Sequence, residues 1–255
     1  MNLLIDIGNT NLHWALHDTA GLGPMQGLRH GQGVPLDLLA AWEVLEPPRR
    51  VLIGNVGGAP VGDAVARVIR AYWGREPECA VPRQGFQGVR VAYPEPARLG
   101  VDRWLALLAA HARGVGATLI LDVGTAATFD LLAAGGHHLG GLILPGLTMM
   151  RDSLLAGTRI PPGDPDPAVT PWATDTGAAI ATGSRHALAA LAERLYDRLS
   201  GLSTGANAGL TAAPALLITG GDGPCIGPLI SRPVELIPDL VLQGLVCLAL
   251  DEGWP

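Results

Sequence analysis

The chain contains one unusual pattern twice, in which a run of apolar residues ends in an aspartate and a glycine turn follows. The first copy is LLIDIGNTNLHWALHD at residues 3–18, and the second is LILDVGTAATFDLLAA at residues 119–134. Asp6 corresponds to Asp122, and Gly8 corresponds to Gly124. A carboxylate at the end of a buried strand is costly unless it has a partner or a ligand. Its occurrence at matching places favours a function over two unrelated turn caps.

Both copies predict a β-hairpin. In the first, Leu12, Trp14 and Leu16 alternate with more polar residues, which is the period of a half-buried strand. Glycine lets backbone N–H groups approach phosphate oxygens, and a nearby carboxylate can hold the accompanying cation. The two hairpins therefore indicate a site for a nucleotide phosphate or a hydrated metal ion.

The order of predicted elements also repeats, with a boundary near residues 114–118. Strands are expected at 49–57, 118–122, 126–134 and 215–221, and helices at 102–113, 146–156 and 176–199. This order predicts an α/β protein with domains at residues 1–115 and 116–255, packed around a cleft. The 255 residues allow two domains of this size.

Charge and composition exclude several classes of function. The net charge is −6 without a basic block, so nucleic acid is not expected as a partner. All 17 basic residues are arginine. A P-loop kinase, a protein kinase and a Schiff-base enzyme each need a lysine, so all three are excluded. No signal peptide or apolar run of about 18 residues is present, which predicts a soluble, cytoplasmic protein without a membrane partner.

Other groups are interpreted as structural. The three cysteines stand far apart, as expected of small buried side chains rather than a zinc site or a disulfide. His137 and His138 are assigned to a solvated loop without a third metal ligand. The Pro-rich segment 161–171 is interpreted as a surface loop, with a mobile lid as the alternative.

A third candidate element is YPEPARLGVDRW at residues 93–104. Asp102 lies where an apolar helix begins, so it can cap the helix, act as a base, or do both. Arg103 adds a guanidinium for an anionic substrate. A further strand-to-glycine turn, ITGGDG at 218–223, would let the main chain lie against a ligand.

Together, DIGNTN, LGVDR and LDVGTAATFD resemble the motifs of the type III pantothenate kinases, within the actin, heat-shock chaperone and sugar kinase superfamily. The resemblance runs from residue 1 to about residue 250. It implies duplicated ribonuclease H-like (actin-like ATPase) domains, with a mixed five-stranded sheet in each half. It also implies a homodimer that phosphorylates pantothenate to 4'-phosphopantothenate with ATP, the first step of coenzyme A biosynthesis.

The resemblance further implies roles for individual residues. Asp102 would be the catalytic base, Asp122 would bind a monovalent cation (K⁺ or NH₄⁺), and Asp6 would lie near Mg²⁺. The implied ATP-binding residues are Asp6, Ile7, Gly8, Asn9, Thr10, Asn11, Leu12, His13 and Thr125. The implied pantothenate contacts are Tyr93, Gly100, Val101, Asp102, Arg103 and Thr176.

Two positions depart from the family pattern. Some members have lysine where this chain has His13, and the family often has asparagine where Asp175 precedes Thr176. Two alternatives also stay open at this point: a kinase for another small hydroxylated acid, and a regulatory or accessory factor without catalysis. Four intact residues, Asp6, Asp102, Arg103 and Asp122, argue against the regulatory alternative.

Overall fold

The computed structural model describes residues 1–31, 33–161, 163, 171–203 and 213–251, so most of the Pro-rich segment 161–171 lies outside the described residues. The strands, in chain order, are β1 (Asn2–Ile7), β2 (Asn11–Asp18), β3 (Gly21–Leu22), β4 (Gln26–Arg29), β5 (Val51–Asn55), β6 (Glu78–Cys79), β7 (Gly85–Phe86), β8 (Val89–Arg90), β9 (Thr118–Val123), β10 (Ala126–Leu132), β11 (His138–Pro145), β12 (Ala215–Thr219) and β13 (Glu235–Leu236).

The helices lie between or after single strands or groups of strands along the chain. They are α1 (Leu36–Glu43), α2 (Ala59–Trp73), α3 (Val101–Ala112), α4 (Leu147–Ala156), α5 (Thr176–Ser203), α6 (Gly223–Ile226) and α7 (Leu240–Ala249), with 3₁₀ turns at Pro96–Arg98 and Gly227–Leu229. Within the described ranges, every helix is too short or too polar to cross a lipid bilayer.

The chain forms two units, one of residues 1–113 with 239–251 and one of residues 114–238. The division near residue 114 lies beside the expected boundary. The expected second domain, residues 116–255, differs from the observed second unit because residues 239–251 belong to the first unit. Helix α7 packs on α3 and on β1, both in the first unit. Arg50 Nη1 also donates to the Ala249 carbonyl at the end of α7 (3.1 Å). A hydrogen bond to Glu78 raises the pKa of Arg50, so this cation stays charged.

The sheet of the first unit has the order β3-β2-β1-β5-β6, and β4 also pairs with β2. Strand β2 is antiparallel to β1, whereas β5 is parallel to β1 and β6 is parallel to β5. Strands β3 and β4 pair with opposite ends of β2, so together they form a broken third strand. The topology is therefore 3-2-1-4-5, with the second strand reversed.

The sheet of the second unit repeats this topology. Its order is β11-β10-β9-β12-β13, with β10 antiparallel to β9 and β12 parallel to β9. The expected α/β architecture of duplicated ribonuclease H-like domains is therefore confirmed, with mixed sheets of five to six strands.

Alternation along each first strand separates its apolar residues from its aspartate. Leu3, Ile5 and Ile7 enter a core that also contains buried residues of α1 and α2. Leu4 and Asp6 point to the opposite face of the sheet. Helix α3 packs on that face beside Asp6, where Leu105 contacts Gly54. Two close approaches hold α3 there: Leu105 Cδ1 occupies the space that a Gly54 Cβ would need, and the Leu105 backbone lies where a Gly244 Cβ would fall.

We predict that Gly244→Ala destabilises the protein by about 1–3 kcal/mol, because the added methyl group overlaps the Leu105 backbone. The matched control is Gly183→Ala in α5, where a Cβ meets no atom within 4 Å. That change should stabilise the protein by about 0.5–1 kcal/mol, because alanine is the better helix former. Urea unfolding monitored by circular dichroism measures both, and the same sign for the two variants would contradict the close approach of α7 to α3.

Candidate active site

The first hairpin turns at Gly8-Asn9-Thr10, directly after β1. Gly8 N–H donates to the Asn11 carbonyl (2.9 Å), which closes the turn. The Ile7 carbonyl accepts from Val56 (2.8 Å) and Gly57 (3.1 Å), in the loop after β5. A Cβ on Gly57 would overlap the Gly8 carbonyl, so only glycine lets this loop approach the turn so closely. The expected nucleotide-binding residues 6–13 thus lie on β1, the turn and the start of β2.

Asp6 and His13 are cross-strand neighbours in this hairpin. Asp6 Oδ2 lies 3.9 Å from His13 Nδ1, which is too long for a hydrogen bond. The side chains are 14% and 33% exposed, so both can reach a ligand. A Gly27 Cβ would lie 2.9 Å from the His13 ring, and the glycine therefore gives the imidazole its space.

The loop after β5 is organised by Asn55. Its Oδ1 accepts from Gly57 N–H (2.9 Å), and its Nδ2 donates to the Gly58 carbonyl (3.1 Å). Gly58 has φ = 96°, a conformation that favours glycine. The sequence predicts only a strand at 49–57 here, and Asn55 is not among the expected site residues. Because β5 lies beside β1, the sheet order brings Asn55 next to the first turn.

Asp102 lies in the first turn of α3, whose N-cap residue is Gly100. The Asp102 Oδ1 atom accepts from Arg103 N–H (2.8 Å), so Asp102 does not cap the helix in the usual way. A Cβ on Gly100 would lie 2.5 Å from this oxygen, which explains the glycine. The carboxylate also lies at the N-terminal end of α3, where the helix dipole favours negative charge. The bond from Arg103 N–H holds one carboxylate oxygen against the first turn of α3.

Arg103 and Tyr93 form a second polar group in the first unit. Arg103 Nη1 donates to the Tyr93 hydroxyl (3.1 Å), and the guanidinium carbon lies 5.9 Å from the ring centroid. Arg103 is only 6% exposed, yet it belongs to the same helical turn as Asp102. Tyr93 thus lies beside the start of α3, where Gly100, Val101, Asp102 and Arg103 follow one another.

The second hairpin turns at Gly124-Thr125, between β9 and β10. Gly124 N–H donates to the Ala126 carbonyl (3.0 Å), and Gly146 N–H donates to the Thr125 carbonyl (3.0 Å). A Cβ on Gly146 would overlap the Gly124 carbonyl, so this turn is also held by a close backbone approach.

Asp122 pairs with Thr219 of β12, and the turn after β12 closes over it. Gly220 has φ = 83°, and a Cβ there would overlap Asp122 Oδ1 and the Val123 carbonyl. Asp222 N–H donates to the same carbonyl (3.0 Å). The ITGGDG turn thus packs so closely on Asp122 and Val123 that a side chain at position 220 would not fit.

Thr176 is the first residue of α5 and is exposed. The preceding Asp175 caps the helix, since its Oδ1 accepts from Ala178 N–H (2.9 Å). Asparagine and aspartate both make this bond. The departure at Asp175 therefore keeps the local geometry at Thr176.

Two further findings concern groups interpreted as structural. His137 is exposed. His138 is buried, and its Nε2 lies 2.9 Å from Asp130 Oδ1, so its assignment to a solvated loop is wrong. A register shift in β10 pairs Leu132 with His138 and so brings His138 into the sheet. Within the described residues, no cluster of three or more His, Cys, Asp or Glu side chains is arranged to hold a metal ion.

The comparisons with known proteins agree with the motifs and the topology. The family model described as type III pantothenate kinase matches residues 2–198. The type III pantothenate kinase of Nitrosococcus oceani is 38% identical, with 99% of this chain and 95% of that protein covered. That of Nitrosospira multiformis is 37% identical, with 98% and 92% covered.

A solved structure supports the fold. The Campylobacter jejuni protein described as a Baf family transcriptional activator superposes with a TM-score of 0.57 at 18% identity, covering 96% of this chain and 95% of that one. The duplicated topology, the three motifs and the near-full-length similarity lead to one conclusion: the chain belongs to the type III pantothenate kinase family.

Proposed function

We propose that this chain transfers the γ-phosphoryl group of ATP to the primary hydroxyl of pantothenate. The products are ADP and 4'-phosphopantothenate, and the reaction is the first step of coenzyme A biosynthesis. The observation that carries the proposal is the family match over residues 2–198, a range that includes all three motifs. We place the reaction in the cytoplasm.

The first hairpin and Thr125 bind the phosphates of ATP in this proposal. Residues 6–13 supply turn N–H groups and the His13 imidazole. Mg²⁺ commonly binds through one or two carboxylates together with phosphate oxygens and water. A single carboxylate at Asp6 fits that preference, and the bound ion would neutralise charge on the phosphates.

Asp102 accepts the proton of the pantothenate hydroxyl as the oxygen attacks phosphorus. The bond between the γ-phosphorus and the bridging oxygen breaks, and the electron pair leaves with ADP. Asp102 suits this role because its hydrogen bond to Arg103 N–H fixes the carboxylate. Arg103 and Tyr93 bind the anionic substrate, with Gly100, Val101 and Thr176 as further contacts. Most of the rate enhancement then comes from positioning and electrostatics.

Asp122 binds the monovalent cation, K⁺ or NH₄⁺. The nearness of Asp122 Oδ1 and the Val123 carbonyl oxygen beside Gly220 supports this assignment, because hard cations take oxygen ligands.

A second copy of the chain packs on the surface formed by β11 and α4. Leu142 and Ile143 of β11 are 43% and 63% exposed, and Met149 and Leu154 of α4 are 46% and 41% exposed. Every residue of α4 is at least partly exposed. An apolar edge strand beside an apolar helix face is typical of an interface between copies.

The experiment that tests the proposed function is ATP-dependent phosphorylation of pantothenate, with Mg²⁺, in sodium buffer and again in potassium or ammonium buffer. We expect 4'-phosphopantothenate with potassium or ammonium only, and Asp122→Asn should lose that activation. Equal product in sodium buffer would contradict the cation site only and would leave the kinase proposal in place. No product from a folded chain that binds ATP would contradict pantothenate as the substrate.

We predict that Asp102→Asn lowers turnover by about 10²–10⁴-fold, because the amide cannot accept the hydroxyl proton. The matched control is Asp37→Asn, since Asp37 occupies the same position in the first turn of α1. Both changes remove one charge from a helix N-terminus, so their effects on stability should be similar and small, about 0.3–1 kcal/mol. Turnover near wild type in Asp102→Asn would exclude Asp102 as the base.

For the dimer, we predict that Ile143→Arg converts the protein to a monomer, because the charge would be buried in the interface. Leu36→Arg is the control, since Leu36 is 80% exposed on α1. Sedimentation equilibrium measures the mass of each variant. A dimer that persists in Ile143→Arg would place the interface elsewhere.

A further inference from the structure

His30 binds the backbone of the first candidate phosphate turn from its buried side. It lies outside all the motifs identified in the sequence. It directly follows β4 and is 4% exposed. Its N–H donates to the Thr10 carbonyl (3.1 Å), and its Nε2 lies 2.8 Å from the Gly8 carbonyl. A carbonyl oxygen only accepts, so Nε2 carries the hydrogen and donates it. One residue thus binds both ends of the turn.

The bond to Gly8 determines where the next amide points. The Gly8 carbonyl and the Asn9 N–H belong to the same peptide group, and in a trans peptide they point in opposite directions. A carbonyl held toward the buried His30 therefore turns the Asn9 N–H away from it. Asn9 itself is exposed, so this N–H faces the side from which a ligand arrives.

The second unit has a residue at the place that corresponds to His30. Gly146 directly follows β11, the third strand of its sheet, and donates its N–H to the Thr125 carbonyl (3.0 Å). His30 holds the equivalent place after β4 and makes the equivalent backbone bond. The two units differ in the side chain: the Gly146 backbone itself approaches the Gly124 carbonyl, whereas in the first unit an imidazole reaches the Gly8 carbonyl.

We infer that His30 is a positioning residue for nucleotide binding, which fixes the turn so that its N–H groups face the phosphates of ATP. The inference rests on the proposed function in assigning phosphate to this turn. His30 acts through its Nε2–H bond rather than through its charge, because Nε2 donates in both the neutral and the protonated ring.

The test compares His30→Leu, which removes the donor, with His30→Gln, which keeps an N–H donor at a similar reach. We expect His30→Leu to weaken the binding of a non-hydrolysable ATP analogue by about 5- to 30-fold, the effect of a lost buried hydrogen bond. The KM for pantothenate should change by less than about twofold. His30→Gln should recover most of the affinity, and amide hydrogen exchange at residues 8–11 should be faster in His30→Leu only.

The matched control is His17→Leu, because His17 is also buried in the first unit but pairs with Asn2, at the other end of the hairpin. Equal losses of ATP affinity in the two leucine variants, or no recovery in His30→Gln, would overturn the inference. If His30→Leu does not fold, His30→Asn replaces it, because the shorter amide cannot reach the Gly8 carbonyl.

The experiment distinguishes a failure of the inference about His30 from a failure of the proposed substrate. Analogue binding does not require phosphoryl transfer, so a chain that binds ATP but leaves pantothenate unmodified contradicts the substrate and not the role of His30. A wild-type chain that binds no ATP would overturn both proposals.

Discussion

The parallel pairing of the first and fourth strands in each sheet determines where the candidate carboxylates lie. Asp6 pairs with Gly54, and Asp122 pairs with Thr219, so each aspartate reaches the edge where the fourth strand also ends. Ligands of open α/β sheets bind at the carboxyl ends of parallel strands. The space is limited there, because a Cβ at Gly54 would meet Leu105 Cδ1 and a Cβ at Gly220 would overlap Asp122 Oδ1. Both hairpins depend on this pairing, because a shift of one residue would turn each aspartate to the other face.

Features with a strong local pattern could be predicted from the sequence. The hairpins follow from the repeated Asp-Gly motif, and α3 begins within one residue of the expected start because its apolar period is clear. Tyr93 and Arg103 belong to one sequence motif and are hydrogen-bonded to each other, while their contact with a substrate stays a prediction.

Features set by tertiary contacts could not be predicted. The two-residue strands β3, β6 and β13 exist only through their neighbours in the sheets. His138 is buried because of a register shift, and His30 reaches Gly8 because of how β4 pairs with β2. In each case the deciding interaction joins segments that no short sequence window contains together. The assignment of α7 to the first unit has the same origin, since its partners α3 and β1 lie over 100 residues earlier.

The position of α7 has a consequence for the order in which the chain folds during synthesis. Residues 114–238 are continuous, so the second unit has all its strands as soon as this segment is made. The first unit is translated earlier, yet one face of α3 stays uncovered until residues 240–249 appear. Domains usually fold from the N-terminus as synthesis proceeds, and uncovered apolar surface favours aggregation. In this chain the N-terminal unit is therefore the last to be completed, and the uncovered α3 face is the apolar surface that stays exposed until then.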